Sequence, residues 1–87
     1  MKIAVIGQGY VGLPLALAAA EANHEVFGLD LNLDKVQLIN SGKSPISDIS
    51  DSQILKVRDS GKYLATEKYE VISQCQVVIV CLPTPLD

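Results

Sequence analysis

The sequence has no basic cluster and no long hydrophobic run. Its 87 residues include seven Lys and Arg against ten Asp and Glu, for a formal net charge of -3. This balance argues against nucleic acid as the main partner. The longest nearly apolar stretch, residues 11–20, is far shorter than the ~20 residues that a membrane-spanning helix requires. We therefore expect no nucleic-acid partner and no membrane partner.

The sequence also lacks the features of a secreted protein. Its first residues, MKIAVIG, enter an apolar run directly, without the basic leader and cleavage site of a signal peptide. Its two cysteines, Cys75 and Cys81, match no common metal-ligand spacing and suggest no disulfide framework. We expect a cytoplasmic protein without a metal, in which both thiols pack as small apolar side chains.

Strand patterns alternate with helix patterns along the chain. Apolar or β-branched segments predict strands at residues 2–6, 25–29, 63–66 and 77–82, of which the first and last are expected to be buried on both faces. Helices are predicted at residues 10–23, 33–40, from 50 or 51 to about 60, and 68–73. Right-handed crossovers then predict an α/β, Rossmann-type doubly wound parallel sheet with strand order 3-2-1-4.

Three glycines, Gly7, Gly9 and Gly12, form a G-x-G-x-x-G pattern between the first strand and the first helix. In a dinucleotide-binding turn, the first allows the tight turn, the second leaves room for the phosphates and the third lets the helix pack on the strand. The pyrophosphate then lies at the helix N-terminus, with the amides of Tyr10 and Val11 as candidate donors. The alternative is a plain strand-to-helix connection, but the flanking strand and helix favour the cofactor.

An acidic residue, Asp30, ends the second predicted strand. A carboxylate there accepts hydrogen bonds from the hydroxyls of the adenosine ribose and repels a 2′-phosphate. No Arg follows closely, and Lys35 is the first basic residue after it. The pattern therefore favours NAD over NADP, and a helix cap or a solvated turn is the alternative role for Asp30.

A proline-bounded stretch, Pro83-Thr84-Pro85, follows the last predicted strand. The prolines stiffen the backbone, and Thr84 brings a hydroxyl to the place where the cofactor should run. Because the strand order reverses between the first and fourth strands, this stretch and the glycine turn should meet at one crevice. A simple strand-ending loop is the alternative.

These motifs together resemble the N-terminal region of the UDP-glucose/GDP-mannose dehydrogenase family. The resemblance covers essentially the whole chain and is carried by IAVIGQGYVGLPLALAAA, Asp30, LDKVQLINSGKSPI and VVIVCLPTPLD. Family members oxidise the C6 hydroxymethyl group of a nucleotide sugar to a carboxylate in two NAD-dependent steps. The resemblance implies pyrophosphate contacts at Gly7, Gly9, Tyr10 and Val11, adenosine ribose contacts at Asp30 and Lys35, and a cofactor contact at Thr84.

One loop separates the branches of this family. Members acting on UDP-glucose usually carry P-I-x-E-P-G-L, whereas residues 45–51 here read PISDISD. This form looks more like the branch that oxidises UDP-N-acetyl hexosamines. The resemblance thus implies a UDP-N-acetyl hexosamine as substrate, with UDP-glucose next, for the synthesis of surface-polysaccharide precursors.

The resemblance further implies that residues 1–87 are a partial dinucleotide-binding domain. In the family, the catalytic cysteine, the lysine and asparagine near it, the dimerising helix and the UDP-binding domain all lie in later segments, and neither Cys75 nor Cys81 matches the catalytic motif. Without a thiol nucleophile, we expect these residues to be inactive alone and the UDP-sugar to bind only the full-length protein. The alternatives are a stand-alone NAD-sensing regulatory module and a fragment without function.

The last predicted strand also bears on self-association. With no further strand beside it, the segment 77–82 would present an apolar, unpaired edge, which is a template for pairing with another chain. We expect a homo-oligomer, formed through this edge when the domain is isolated.

Overall fold

A computed structural model describes residues 1–82, which form a four-stranded parallel sheet. The strands are β1 (Lys2–Ile6), β2 (Glu25–Leu29), β3 (Tyr63–Thr66) and β4 (Val77–Val80). Their order is β3-β2-β1-β4, which confirms the predicted order. Ile6 at the end of β1 lies beside Leu29 of β2 and Val80 of β4. The carboxyl ends of these three strands therefore meet at the point where the order reverses.

Three α-helices and one 3-10 helix connect the strands. They are α1 (Gly12–Glu21), α2 (Leu33–Asn40), α3 (Asp51–Asp59) and the 3-10 helix Tyr69–Gln74. α1 is shorter than the predicted 10–23, because the residues before Gly12 form the glycine turn and Asn23 adopts a left-handed φ of 73°. Ser50 caps α3 in a reciprocal capping box with Gln53.

One face of the sheet carries the main hydrophobic core. Side chains alternate along each strand, so Ile3 and Val5 of β1 face this side together with Leu13 and Leu17 of α1 and Ile54 of α3. The core also includes Ile46 and Ile49 from the loop between α2 and α3. Most residues of that loop are polar, but its two isoleucines fold inward.

The other face is covered much more thinly. Its buried cluster comprises Ala4, Ile6 and Leu29, with partly buried side chains of the 3-10 helix packed on them. Val78 and Val80 of β4 are 42% and 63% exposed. The prediction that residues 77–82 form a strand buried on both faces is therefore wrong. The 3-10 helix covers β1, and within residues 1–82 nothing covers the outward side chains of β4.

Both cysteines are half-buried free thiols. Cys81 packs against the main core and Cys75 against the smaller cluster, as expected for small apolar side chains. Burial raises the pKa of the Cys75 thiol, while the charge of Lys2 lowers it less. Among the described residues, no helix has the length and apolar character to cross a membrane, and no group of three or more His, Cys, Asp or Glu side chains could hold a metal ion.

Candidate functional site

A crevice of about 780 Å³ opens at the carboxyl ends of β1 and β4. This is the point where a doubly wound sheet binds its ligands. Among the predicted site residues, the crevice is lined by Gly7, Gly9, Tyr10, Val11, Asp30 and Lys35. Gly12 is buried behind the turn. Pro83 and Thr84 lie outside the residues that the structure describes.

The three glycines of the turn meet different surroundings. Gly7 has a φ of +95°, and a Cβ there would lie 2.6 Å from the carbonyl oxygen of Cys81. A Cβ on Gly12 would overlap the carbonyl oxygen of Gly7. A Cβ on Gly9 would meet nothing within 4 Å. The fold of the turn thus requires Gly7 and Gly12, whereas a side chain at Gly9 would extend into open space at the crevice.

The N-terminus of α1 has no polar side chain to satisfy it. Its N-cap residue, Val11, makes no side-chain hydrogen bond to the helix, and the first turn contains no acidic residue. By contrast, Asn32 and Ser50 cap α2 and α3. Free amides and the positive end of the helix dipole favour an anion at such a terminus. The crevice side of α1 can therefore accept a phosphate group.

Asp30 is held by hydrogen bonds on both carboxylate oxygens. Oδ1 accepts from the backbone N–H of Asn32 at 2.9 Å, and Oδ2 accepts from that of Gln8 at 2.9 Å and from Nζ of Lys35 at 3.3 Å. Partial burial raises the pKa of Asp30, but these donors outweigh it and hold the pKa below its ordinary value. The side chain is therefore an ionised acceptor whose direction is fixed.

Lys35 reaches Asp30 because α2 begins just after β2. The side chain of Asn32 accepts a hydrogen bond from the backbone N–H of Lys35 at 3.1 Å. This bond fixes the first turn of α2 beside the end of β2. The two charged side chains are 27% and 14% exposed, for Lys35 and Asp30 respectively. Both residues of this ion pair line the crevice.

Two residues that support this site, Gln8 and Tyr63, were not predicted to be part of it. The side chain of Gln8 is completely buried beneath the turn. Its Nε2 donates to the carbonyl oxygens of Val5 at 2.9 Å and Gly7 at 3.2 Å, and its Oε1 accepts from the hydroxyl of Tyr63 at 2.7 Å. Nothing in a single sequence marks the residue between two motif glycines as buried, and Tyr63 was predicted only as part of a strand.

The parallel sheet, its strand order and the glycine turn at the reversal define the N-terminal part of a Rossmann-type domain. Residues 1–87 match the NAD binding domain of the UDP-glucose/GDP-mannose dehydrogenase family. The chain belongs to this family, as the resemblance predicted, and corresponds to its NAD-binding domain.

Individual relatives agree with this assignment. The chain is 37% identical to UDP-N-acetyl-D-mannosamine dehydrogenase of Pyrococcus horikoshii, over 99% of this chain and 21% of the relative. It is 38% identical to UDP-glucose 6-dehydrogenase of Streptococcus pneumoniae, over 100% of this chain and 22% of the relative. It superposes on GDP-mannose dehydrogenase of Pseudomonas aeruginosa, solved as a ternary complex, with a TM-score of 0.93 and 32% identity, over 100% of this chain and 20% of that one.

The chain spans about a fifth of the length of these relatives. Their names refer to three different sugar nucleotides, and their identities to this chain are similar. The comparisons therefore establish an NAD-binding domain of nucleotide-sugar dehydrogenases and do not distinguish among the sugar nucleotides.

Proposed function

We propose that this chain binds NAD in the crevice, with the pyrophosphate over Gly9 and against the amides of Tyr10 and Val11. The observation that carries the proposal is the open space at Gly9 beside an uncapped helix N-terminus. Gly7 and Gly12 are explained by the turn itself, but the lack of a side chain at Gly9 is not. A ligand that approaches the backbone closely accounts for it.

The adenosine ribose is the second part of the proposed contact. Asp30 would accept hydrogen bonds from its hydroxyls, with Lys35 beside it, and the ionised carboxylate would exclude a 2′-phosphate. The family resemblance also assigns a cofactor contact to Thr84, next to Pro83 in the sequence. When bound, NAD supplies the acceptor for a hydride, and the residues named here bind and orient it.

Titration of NAD and NADH by calorimetry tests this proposal, with Gly9→Val as the decisive variant. Because a Cβ at Gly9 meets nothing within 4 Å, the valine should leave the fold intact and occupy the space of the phosphates. We expect the Kd of this variant for NAD and NADH to be about tenfold or more above the wild-type value. Each tenfold rise is a loss of about 1.4 kcal/mol of binding free energy.

The matched control is Ala18→Val, which introduces the same side chain at an exposed position of α1 that does not line the crevice. Its Kd should stay within about twofold of the wild-type value. Equal affinities for the wild type and Gly9→Val would contradict the proposed site. A wild-type chain that binds neither nucleotide would contradict cofactor binding by this chain.

We further infer that these residues form part of the dinucleotide-binding domain of a nucleotide-sugar 6-dehydrogenase whose catalytic and sugar-binding segments lie elsewhere. Such an enzyme oxidises the C6 hydroxymethyl group to a carboxylate with two NAD. A UDP-N-acetyl hexosamine is favoured over UDP-glucose, because of the loop at 45–51 and the P. horikoshii relative. Rates of NADH formation by a protein that carries this domain together with the catalytic and sugar-binding segments test this preference, and a higher kcat/KM for UDP-glucose or GDP-mannose would contradict it.

A further inference from the structure

We infer that the hydrogen bond from Tyr63 to Gln8, made through a gap at Gly28, positions the glycine turn and Asp30 for the dinucleotide. This inference rests on the proposed binding of NAD. Tyr63 and Gln8 do not line the crevice, so both act through other residues and are positioning residues.

Gln8 joins the two parts of the proposed site. Its side chain holds the turn from beneath, through the carbonyl oxygens of Val5 and Gly7. Its backbone N–H donates to Oδ2 of Asp30 at 2.9 Å. A shift of Gln8 would therefore move the phosphate-binding backbone and also remove a donor from the ribose-binding carboxylate.

Tyr63 fixes Gln8 from β3, the strand at the edge of the sheet. β3 and β1 are separated by β2, so the phenol must cross β2 to reach Gln8. The crossing occurs at Gly28, where a Cβ would overlap both the Tyr63 hydroxyl and Oε1 of Gln8. Gly28 thus leaves the gap through which a strand outside the crevice contacts the turn.

The chemistry of this contact favours an orienting role. A buried hydroxyl and a buried amide cost free energy unless they bond, and apolar side chains could fill the same space without that requirement. Burial, with a smaller contribution from the charge of Asp30, raises the pKa of Tyr63, so the phenol stays a donor. Because it donates to Oε1, the Nε2 group of Gln8 is directed at the two carbonyl oxygens of the turn.

Tyr63→Phe tests the inference, because it removes only the hydroxyl and leaves Oε1 of Gln8 without this donor. We expect the Kd for NAD to rise by about threefold to tenfold, as for the loss of one buried hydrogen bond. Affinity is measured by calorimetry at a temperature at which circular dichroism shows each variant to be folded.

Asn40→Ala is the matched control. Asn40 also anchors β3, through hydrogen bonds to the backbone of Ala65 at 2.8 and 3.2 Å, but it touches neither Gln8 nor the crevice. Its loss should destabilise the same strand and leave the Kd within about twofold of the wild-type value. If Asn40→Ala raises the Kd as much as Tyr63→Phe does, the cause is a general loosening of β3, and the inference is overturned.

A second readout, which needs no cofactor, is the pKa of Asp30, followed by NMR of its carboxyl carbon. The groups that act on this carboxylate are the N–H groups of Gln8 and Asn32 and the Lys35 ammonium. The charge of the carboxylate in turn acts on the Tyr63 phenol. In Tyr63→Phe the turn should shift and weaken the Gln8 donor, so the pKa should rise toward its ordinary value. In Asn40→Ala it should stay unchanged.

Gly28→Ala provides a second variant, because it closes the gap while keeping both partners. Like Tyr63→Phe, it should raise both the Kd for NAD and the pKa of Asp30. In the double variant, the two substitutions should have less than additive effects on the free energy of NAD binding. An unchanged Kd and an unchanged Asp30 pKa in either folded variant would overturn the inference. If the wild type binds no NAD, the proposed function fails, and the Asp30 pKa still tests the positioning role.

Discussion

The two walls of the crevice differ in how they are built. The wall formed by the glycine turn and the start of α2 is polar and held by hydrogen bonds, with three donors on Asp30 alone. The wall at the end of β4 is apolar and open, with Val80 and Leu82 63% and 59% exposed. The first wall has the groups and the geometry to hold a charged ligand, whereas the second presents hydrophobic surface.

The difference follows from what lies beneath each wall. The glycine turn rests on Gln8, which is buried, and on α1, which packs into the main core through Leu13 and Leu17. β4 pairs with β1 alone among the described residues, and one of its faces is uncovered. The binding of phosphate and ribose can therefore be a property of the unit β1-α1-β2, which is complete in this chain.

The largest expected effect concerns the polar wall. Asp30→Ala should raise the Kd for NAD by about tenfold or more, because hydrogen bonds to a charged group are worth about 1.5–3 kcal/mol each. If Asp30 repels a 2′-phosphate as proposed, the variant should also discriminate less between NAD and NADP. Calorimetric Kd values for both cofactors measure the two effects.

Asp48→Ala is the control for the change in net charge, because Asp48 is an exposed carboxylate that does not line the crevice. Both cofactors should bind this variant as they bind the wild type. If Asp30→Ala also binds NAD and NADP with unchanged affinity, Asp30 serves only to order the turn after β2.

The polar wall was also the part that the sequence predicted best, because its signals are local. Gly7 and Gly12 mark a turn in which neither position has room for a side chain. Asn32 caps α2 and Gly42 adopts a φ of +92° just after it, so the predicted bounds 33–40 are exact. The strand order followed from the alternation of strands and helices and from the handedness of their crossovers.

The features that escaped prediction depend on contacts between distant segments. Tyr63 and Gln8 are 55 positions apart, and Gly28 lies in a segment that the pattern marked only as a strand. The burial of Ile49 depends on how its loop packs on the core. The exposure of β4 depends on which elements cover the second face, so its apolar composition alone predicted burial wrongly.

A smaller effect is expected at the apolar wall and concerns self-association. Within residues 1–82, no strand pairs with the outer edge of β4, which lies beside the exposed side chain of Val78, and such an edge pairs readily with another chain. We expect the chain to dimerise or aggregate at high concentration, and Val78→Lys to reduce this because a charge beside the edge opposes pairing. Light scattering over a concentration series measures the change.

Two comparisons decide whether this association involves β4. Val78 does not line the crevice, so Val78→Lys should leave the Kd for NAD within about twofold of the wild-type value. Leu64→Lys places the same charge on β3, the opposite edge, where the leucine is 50% exposed. If Leu64→Lys disperses the protein and Val78→Lys does not, association runs through β3. A monodisperse wild-type monomer at high concentration would contradict self-association through the edge of β4.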